Sequence, residues 1–343
     1  EFAHVDPDLH LSCDAFARLY DHSHRGKIGP VVEVLRTFLV GCGYGYFQDI
    51  PVMYYLKLAP WIVQRSARAA ITGGPPLYRV SHGWQELWRA VARDLEEVRV
   101  NTPVTSVVRY QTEAGQPRIR LTAGGRTEVF DRLLITPNPD LAGRFMDFTP
   151  IERALFAKVK YVRFAMTLMT GGGLPHCFLK DHSEPGAIGH VVAIGKTFAD
   201  REVYSFYQQL SETMTTEQAM SLLHADVQAL GGHADTVLAR AEWSYFPHVS
   251  TADASAGFYR DLEALQGEQA TYYINSLAAF EDVEHVATYA QELVESCFVP
   301  GPRLGASSGA AGAIADQAIP RSAALIGKPP AAPAEALAVA SRR

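Results

Sequence analysis

The chain has 343 residues, of which 48% are hydrophobic and 20% charged. These are ordinary proportions for a globular protein long enough for two domains. A formal net charge of -6 argues against nucleic acid as a partner, because phosphate backbones call for clustered Lys and Arg. No apolar run reaches the ~18 residues of a membrane span, and the opening EFAHVDPDLH lacks the basic and apolar regions of a leader, so a cytoplasmic protein with no membrane span is expected.

Residues 8–70 carry apolar side chains at three- and four-residue spacing, as in VVEVLRTFLV and VMYYLKLAPWIV. This predicts helices interrupted at Gly29-Pro30, Gly41 to Gly45 and Pro51. A turn-rich stretch then leads to a helix in SHGWQELWRAVARDLEE, where Trp84, Leu87, Trp88, Val91 and Leu95 share a face expected to pack. From 98 to 136 the pattern is β: VRVN, VTSVVRY, RIRLTA, a Gly124-Gly125 turn and TEVFDRLLIT, read as a small sheet ending in a buried strand. A helix-like segment, 138–160, precedes YVRFAMTLM, HVVAIG, VYSFYQQL and VLARAEWSYF, the strands of a second sheet, with EQAMSLLHADVQAL a helix between the last two. TYYINSLAAFEDVEHVATYAQELVESCF reads as a strand, a turn and a long helix beginning near Ala279. From Gly301 the chain is rich in Ala and Pro and is expected to be a loosely ordered tail.

Among motifs for chemistry, GCGYGYF (Gly41, Gly43, Gly45) is the one glycine-rich candidate for a phosphate loop. It runs into Pro51 instead of a helix and has no acid near position 65, roughly 20 residues on, so a tight turn between helices is the better reading. The four cysteines, Cys13, Cys42, Cys177 and Cys297, form no CxxC pair, and the histidines, including His22, His24, His224 and His233, have no partners at ligand spacing. No metal site is expected. Without a GxSxG elbow or a Cys beside a His, a hydrolase has no support either.

Several stretches, taken in order over roughly residues 30–300, resemble the flavin-containing amine oxidase superfamily, and within it the bacterial FAD-dependent branch that includes a polyunsaturated fatty acid isomerase. They are GYGYFQDIPVMYYLK, SHGWQELWRAVARDL, NTPVTSVVRY, FDRLLITPNPD, AEWSYFPHV and YYINSLAAFEDVEHVATYAQELV. The resemblance implies FAD as cofactor, with Val104 at the adenine, Thr136 and Pro137 beside the dinucleotide, and Asn275, Ser276 and Glu281 in the closing unit. Glu281 also suits a helix cap, and that bland reading is weighed beside the cofactor role. Tyr44, Tyr46, Trp243, Tyr245 and Phe246 are candidates for a substrate pocket, with a sheet core as the alternative.

The implied fold class is α/β with α+β character, an incomplete FAD-binding Rossmann-like domain interleaved with a substrate domain of mixed sheet and helices. The expected segments are 1–75, helical part of the substrate domain; 76–149, part of the FAD-binding domain; 150–268, substrate domain with mixed sheet; 269–300, closing FAD-binding unit; and 301–343, tail. The family's N-terminal strand and GxGxxG loop do not precede position 41, and NSLAAFE replaces the paired glycines of many amine oxidases. The expectation is therefore an oxidoreductase acting on a small-molecule substrate, truncated or inactive in this form. A lipid double-bond isomerase and a non-catalytic binding module are the alternatives, and the catalytic residues stay unassigned.

Overall fold

The computed structural model describes residues 7–23, 36–73, 80, 82–180, 187–196, 198 and 200–298. The break expected at Gly29-Pro30 and the 301–343 tail lie outside them. The chain divides into one unit of residues 1–74 and 101–292 and a second of residues 75–100 and 293–343.

In the first unit, α1 (Cys13–Ser23) is followed by helical residues 36–41, a turn, and α2 (Val52–Thr72). Pro51 stands at the N-cap of α2, where its missing N–H costs nothing. Gly73 closes the same helix at φ 68, a left-handed position that glycine adopts without strain. The second unit contains α3 (Trp84–Arg93). Its expected packing face is instead exposed: Trp84 is 55% and Trp88 50% accessible, and Leu87, Val91 and Leu95 are also exposed. No described residue of α3 is buried.

Strands β1 (Val104–Gln111), β2 (Pro117–Ala123) and β3 (Arg126–Phe130) form an antiparallel meander. VRVN lies outside it, because residues 98–101 are turn and coil. The run expected to end that sheet splits at Asp131-Arg132, and its apolar end becomes β4 (Leu133–Ile135), which leaves the meander. The 138–160 segment is two short helices, α4 (Pro139–Ala142) and α5 (Pro150–Phe156). A capping box between Thr149 and Glu152 starts α5.

The second sheet has the order β6-β7-β8-β5-β9, all antiparallel, built from β5 (Lys160–Gly172), β6 (Cys177–Leu179), β7 (Val191–Lys196), β8 (Val203–Leu210) and β9 (His233–His248). Only β6 was missing from the sequence reading. Between β8 and β9 runs α6 (Thr216–Ala229), which buries Leu223 and Val227 with Met169, Tyr204 and Phe206 of the sheet. After α7 (Thr251–Ser255) and α8 (Phe258–Glu263), β10 (Thr271–Tyr273) pairs with β4 in parallel register. The helix α9 (Val283–Cys297), of which the residues to Glu292 belong to this unit, starts at Val283 and not near Ala279. Residues 275–282 form turns first, with Asn275 Oδ1 accepting the Ala278 N–H at 3.2 Å. The main core of this unit joins Leu39, Tyr44, Val107, Ile135, Phe246, Tyr273 and Phe280, residues from widely separated segments. Among the described residues no helix is long and apolar enough to cross a membrane.

Candidate functional site

Parallel pairing of β4 and β10 puts the carboxyl ends of both strands at one edge, where ligand crevices form in parallel sheets. The loop after β4 carries Thr136, Pro137 and Asn138, and the loop after β10 carries Asn275, Ser276 and Glu281. Two hydrogen bonds tie these loops together: Asn275 Nδ2 donates to the Pro137 carbonyl at 3.2 Å, and Ser276 Oγ donates to Asn138 Oδ1 at 3.2 Å. The Ile274 N–H also donates to the Ile135 carbonyl at 2.9 Å. Asn275 is buried and Thr136 exposed, so the pair of loops has a fixed floor and an open rim.

Val104 stands elsewhere, opposite Ala123 at the start of β1 with its side chain against the main core. No hydrogen bond among the described residues joins it to the two loops.

Glu281 does not cap α9. Asp282 does, with Oδ1 accepting the His285 N–H at 2.8 Å and Oδ2 meeting His285 Nδ1 at 2.6 Å. The Glu281 backbone carbonyl accepts from the Tyr44 hydroxyl at 3.2 Å, while its Oε2 is buried without a hydrogen-bond partner. Burial pushes the Glu281 carboxyl up, the nearby Ser276 hydroxyl opposes this, and the neighbouring Asp282 charge adds to the rise. Asp140, at the start of α4, has a second buried carboxylate oxygen without a partner, and its N–H donates to the Tyr161 hydroxyl at 3.4 Å. Unpaired buried acceptors are costly, so they mark places suited to an incoming donor.

Three of the five aromatic candidates meet in one cluster. The Tyr44 ring lies 5.9 Å from Tyr245, 5.0 Å from Phe246 and 5.3 Å from Phe280. Phe246 holds φ at 50°, a left-handed conformation costly for an aromatic residue, between the rings of Tyr54 and His248. Burial pushes the Tyr44 and Tyr245 hydroxyls above the usual phenol range and the His248 imidazole below its own. Tyr46 packs against Val40, Phe164 and Val192, a group that Tyr245 also joins. Trp243 is 46% accessible and lines a cleft of about 240 Å³ with Tyr161, Arg163, Glu212, Glu242 and Ser244. Asp140, Tyr161 and Phe280 carried no signal in the sequence, since their partners lie at a distance, while Asp282 was one of three acids at the expected helix start and only the structure selects it as the cap.

The GCGYGYF turn spends its amides internally: Cys42, Gly43 and Tyr44 donate to the carbonyls of Phe38, Val40 and Leu39. A Cβ at Gly43 would meet the Phe164 ring at 3.0 Å, and one at Gly45 would meet Ile50 at 2.9 Å. These glycines therefore serve close packing and a positive φ, and amides 42–44 are not available to a phosphate. Among the described residues no group of His, Cys, Asp and Glu is suited to a metal ion.

No family model matches the chain, and no curated protein sequence matches it. Solved structures do. A CLA-producing fatty acid isomerase from P. acnes superposes with a TM-score of 0.75 and 22% identity, over 87% of this chain and 69% of that one. A putrescine oxidase redesigned in its cofactor binding gives 0.58 at 14% identity, over 86% and 69%. A protein from Exiguobacterium assigned as a protoporphyrinogen oxidase gives 0.55 at 15% identity, over 76% and 62%. The mixed α/β architecture of this chain is thus the fold it shares with these solved structures, a fatty acid isomerase, a putrescine oxidase and a protein assigned as a protoporphyrinogen oxidase.

Proposed function

We propose that the loops at 136–140 and 274–282 form the flavin-facing half of an FAD site in an oxidoreductase that moves a hydride from a small organic substrate to the flavin. The observation that carries this reading is the bonded pair of loops at the carboxyl ends of two adjacent parallel strands, with the partnerless Glu281 Oε2 and Asp140 Oδ1 beside them. Hydroxyl or N–H donors of a ribityl–flavin end suit such acceptors, so the residues fit the group there. Thr136, Pro137, Asn275, Ser276 and Glu281 would hold that end, and Val104 the adenine. The residues do not fit the pyrophosphate, because the 42–44 amides are already used.

The flavin supplies hydride acceptance, and this chain supplies orientation, exclusion of water and hydrogen bonds. We assign Tyr44, Tyr245 and Phe246 to the apolar wall of the substrate site, with Tyr46 and Trp243 at its margins. The interleaved segments 1–75 and 150–268 are read as the substrate domain, and 76–149 with 269–300 as the cofactor domain. None of the four cysteines is in a disulfide among the described residues, which supports a reducing, cytoplasmic setting.

The higher TM-score with the fatty acid isomerase, 0.75 against 0.58 for the putrescine oxidase, favours a second reading. In it, flavin removes and returns a hydride within an unsaturated lipid. Product with shifted double bonds and no oxygen consumed would select isomerisation, whereas oxygen consumption coupled to loss of substrate would select oxidation. The decisive preparation is the purified chain mixed with FAD and passed through gel filtration. The expected result is a colourless protein, because a dinucleotide held by one end only is weakly bound. Retention of yellow FAD bleached by substrate would show that this chain by itself is a working enzyme. A chain that takes up no flavin of any kind would leave the non-catalytic binding module.

A further inference from the structure

We propose that this chain pairs with a second copy of itself through the outer edge of β9, in an antiparallel ladder whose twofold axis passes through Ala241. The inference does not depend on the flavin reading.

β9 is the outermost strand of its sheet, so β5 pairs with one of its edges only. From Ala239 to Tyr245 it keeps an unbroken register with β5, opposite Leu168 to Val162, and irregularities bound that run on both sides. Among the described residues, no hydrogen bond outside the β5 ladder takes a backbone group of 239–244. An open edge of this kind is a template for another strand. The run ARAEWSY contains no Lys or Pro to block pairing, and Val237, Leu238 and Trp243 of the strand are exposed.

Charge and size along this run select the strand that fits. Side chains directly opposite in an antiparallel ladder share a face, so a twofold pairing sets one residue opposite itself. Centring on Arg240 or on Glu242 would bring like charges together, and centring on Ala239 or Trp243 would set neither charge against its opposite. Centred on Ala241, Arg240 of each copy faces Glu242 of the other. Both side chains lie on the α6 side of the sheet, bonded to each other at 2.9 Å and to Thr167 and Arg163 within the chain, and they stay 13% and 25% accessible. The second copy therefore completes a group of alternating charge. On the opposite face Ala239, which is exposed, meets Trp243 of the second copy, whose indole is 46% accessible. A small residue against a large one fills that face, and Ala241 meets Ala241 at the centre. The edge is thus complementary to itself in both charge and size about a single residue.

The test is sedimentation of the full chain over a range of concentrations, with circular dichroism as the check on folding. The parent chain is expected to pass from monomer to dimer as concentration rises. Ala239→Glu sets an unpaired carboxylate against Trp243 of the second copy, and because a twofold interface feels the change twice, dimerisation should weaken about 10-fold with an unchanged spectrum. The register is tested by cross-linking in a chain whose exposed Cys177 and Cys297 are replaced by Ser. Ala241→Cys should oxidise to a disulfide-linked dimer, since opposed residues of an antiparallel pair lie ~4.5–5.5 Å apart at Cα. Val237→Cys, far along the strand from its counterpart, should not. If Ala239→Glu loses its fold, the cross-link decides. A chain that is monomeric at every concentration overturns the inference. So does a dimer that Ala239→Glu leaves intact or Trp88→Gln abolishes, which would move the contact to another face. Cross-linking at 237 instead of 241 overturns the register, and a mass that grows without limit replaces the closed pair with open-ended strand addition.

Discussion

Glu152 is buried and Glu281 partly buried, yet their partners send them in opposite directions. Burial alone would raise Glu152, but Arg109 holds it through both guanidinium nitrogens at 2.6 and 2.7 Å, and the Tyr273 hydroxyl and Thr149 N–H donate as well, so its carboxyl sits below the usual range. The Arg109 and Glu152 side chains are 3% and 2% accessible. Removing one partner strands a buried charge, and Glu152→Ala is expected to cost about 3–5 kcal/mol in urea unfolding. The stabilisation from a lowered carboxyl is present above the unfolded value near 4.3 and disappears as pH falls through the folded value. Glu281, raised, contributes fully below the unfolded value and loses that contribution as pH rises through its folded one. Chemical unfolding from acid to neutral pH should therefore show Glu281→Gln gaining on the parent chain as pH rises, and Glu152→Gln losing ground over the same range. A flat difference for either variant would contradict its assignment.

Elements are governed by their ends. Asp282 sets where α9 begins, and Asp282→Ala should destabilise the chain by about 0.5–2 kcal/mol, read as a lower urea midpoint with an unchanged slope. In the 41–45 turn, Gly43 has φ 83 and the Phe164 ring against its missing side chain, whereas Gly73 at φ 68 faces open space. Both Gly→Ala variants pay for backbone strain, about 1–2 kcal/mol. Only Gly43→Ala must also move a buried ring, worth about 1–3 kcal/mol more. Comparing their urea midpoints separates packing from strain, and equal losses would argue against the Phe164 contact. Hydrophobic periodicity made most helices and strands readable, since α2, α6, β5 and β8 follow their patterns closely. It misread the start of α9 because Glu281, Asp282 and Glu284 offer three acids for one cap, and only the turns at 275–282 select Asp282.

Across the whole molecule, the exposed α3 face is the clearest departure from amphipathic logic. A stripe of Trp84, Leu87, Trp88, Val91 and Leu95 ordinarily signals burial. Because Trp88 is half accessible, Trp88→Gln should change the stability of this chain by no more than about 0.5 kcal/mol, measured by circular dichroism in urea. A loss of about 3 kcal/mol or more would mean that the face is packed after all. The site itself was legible in part. Thr136, Pro137, Asn275 and Ser276 follow strands with recognisable apolar runs, and a resemblance in segment order was enough to pair them. Tyr161, Asp140 and Phe280 were not legible, because each acts through residues that the chain brings near only on folding.

Local chemistry in the sequence by itself determined the class of most segments and the tight glycine turn at 41–45, because periodicity, caps and turn residues act within a few positions, while the likeness to flavin proteins lay in the order of the matching stretches. Tertiary structure alone decided that β4 leaves the meander to pair with β10, that Asp282 and not Glu281 caps α9, and that Glu281 Oε2 is buried without a hydrogen-bond partner. Those outcomes depend on which remote groups share a small volume, and pairing, desolvation and charge at a distance are properties of the folded chain.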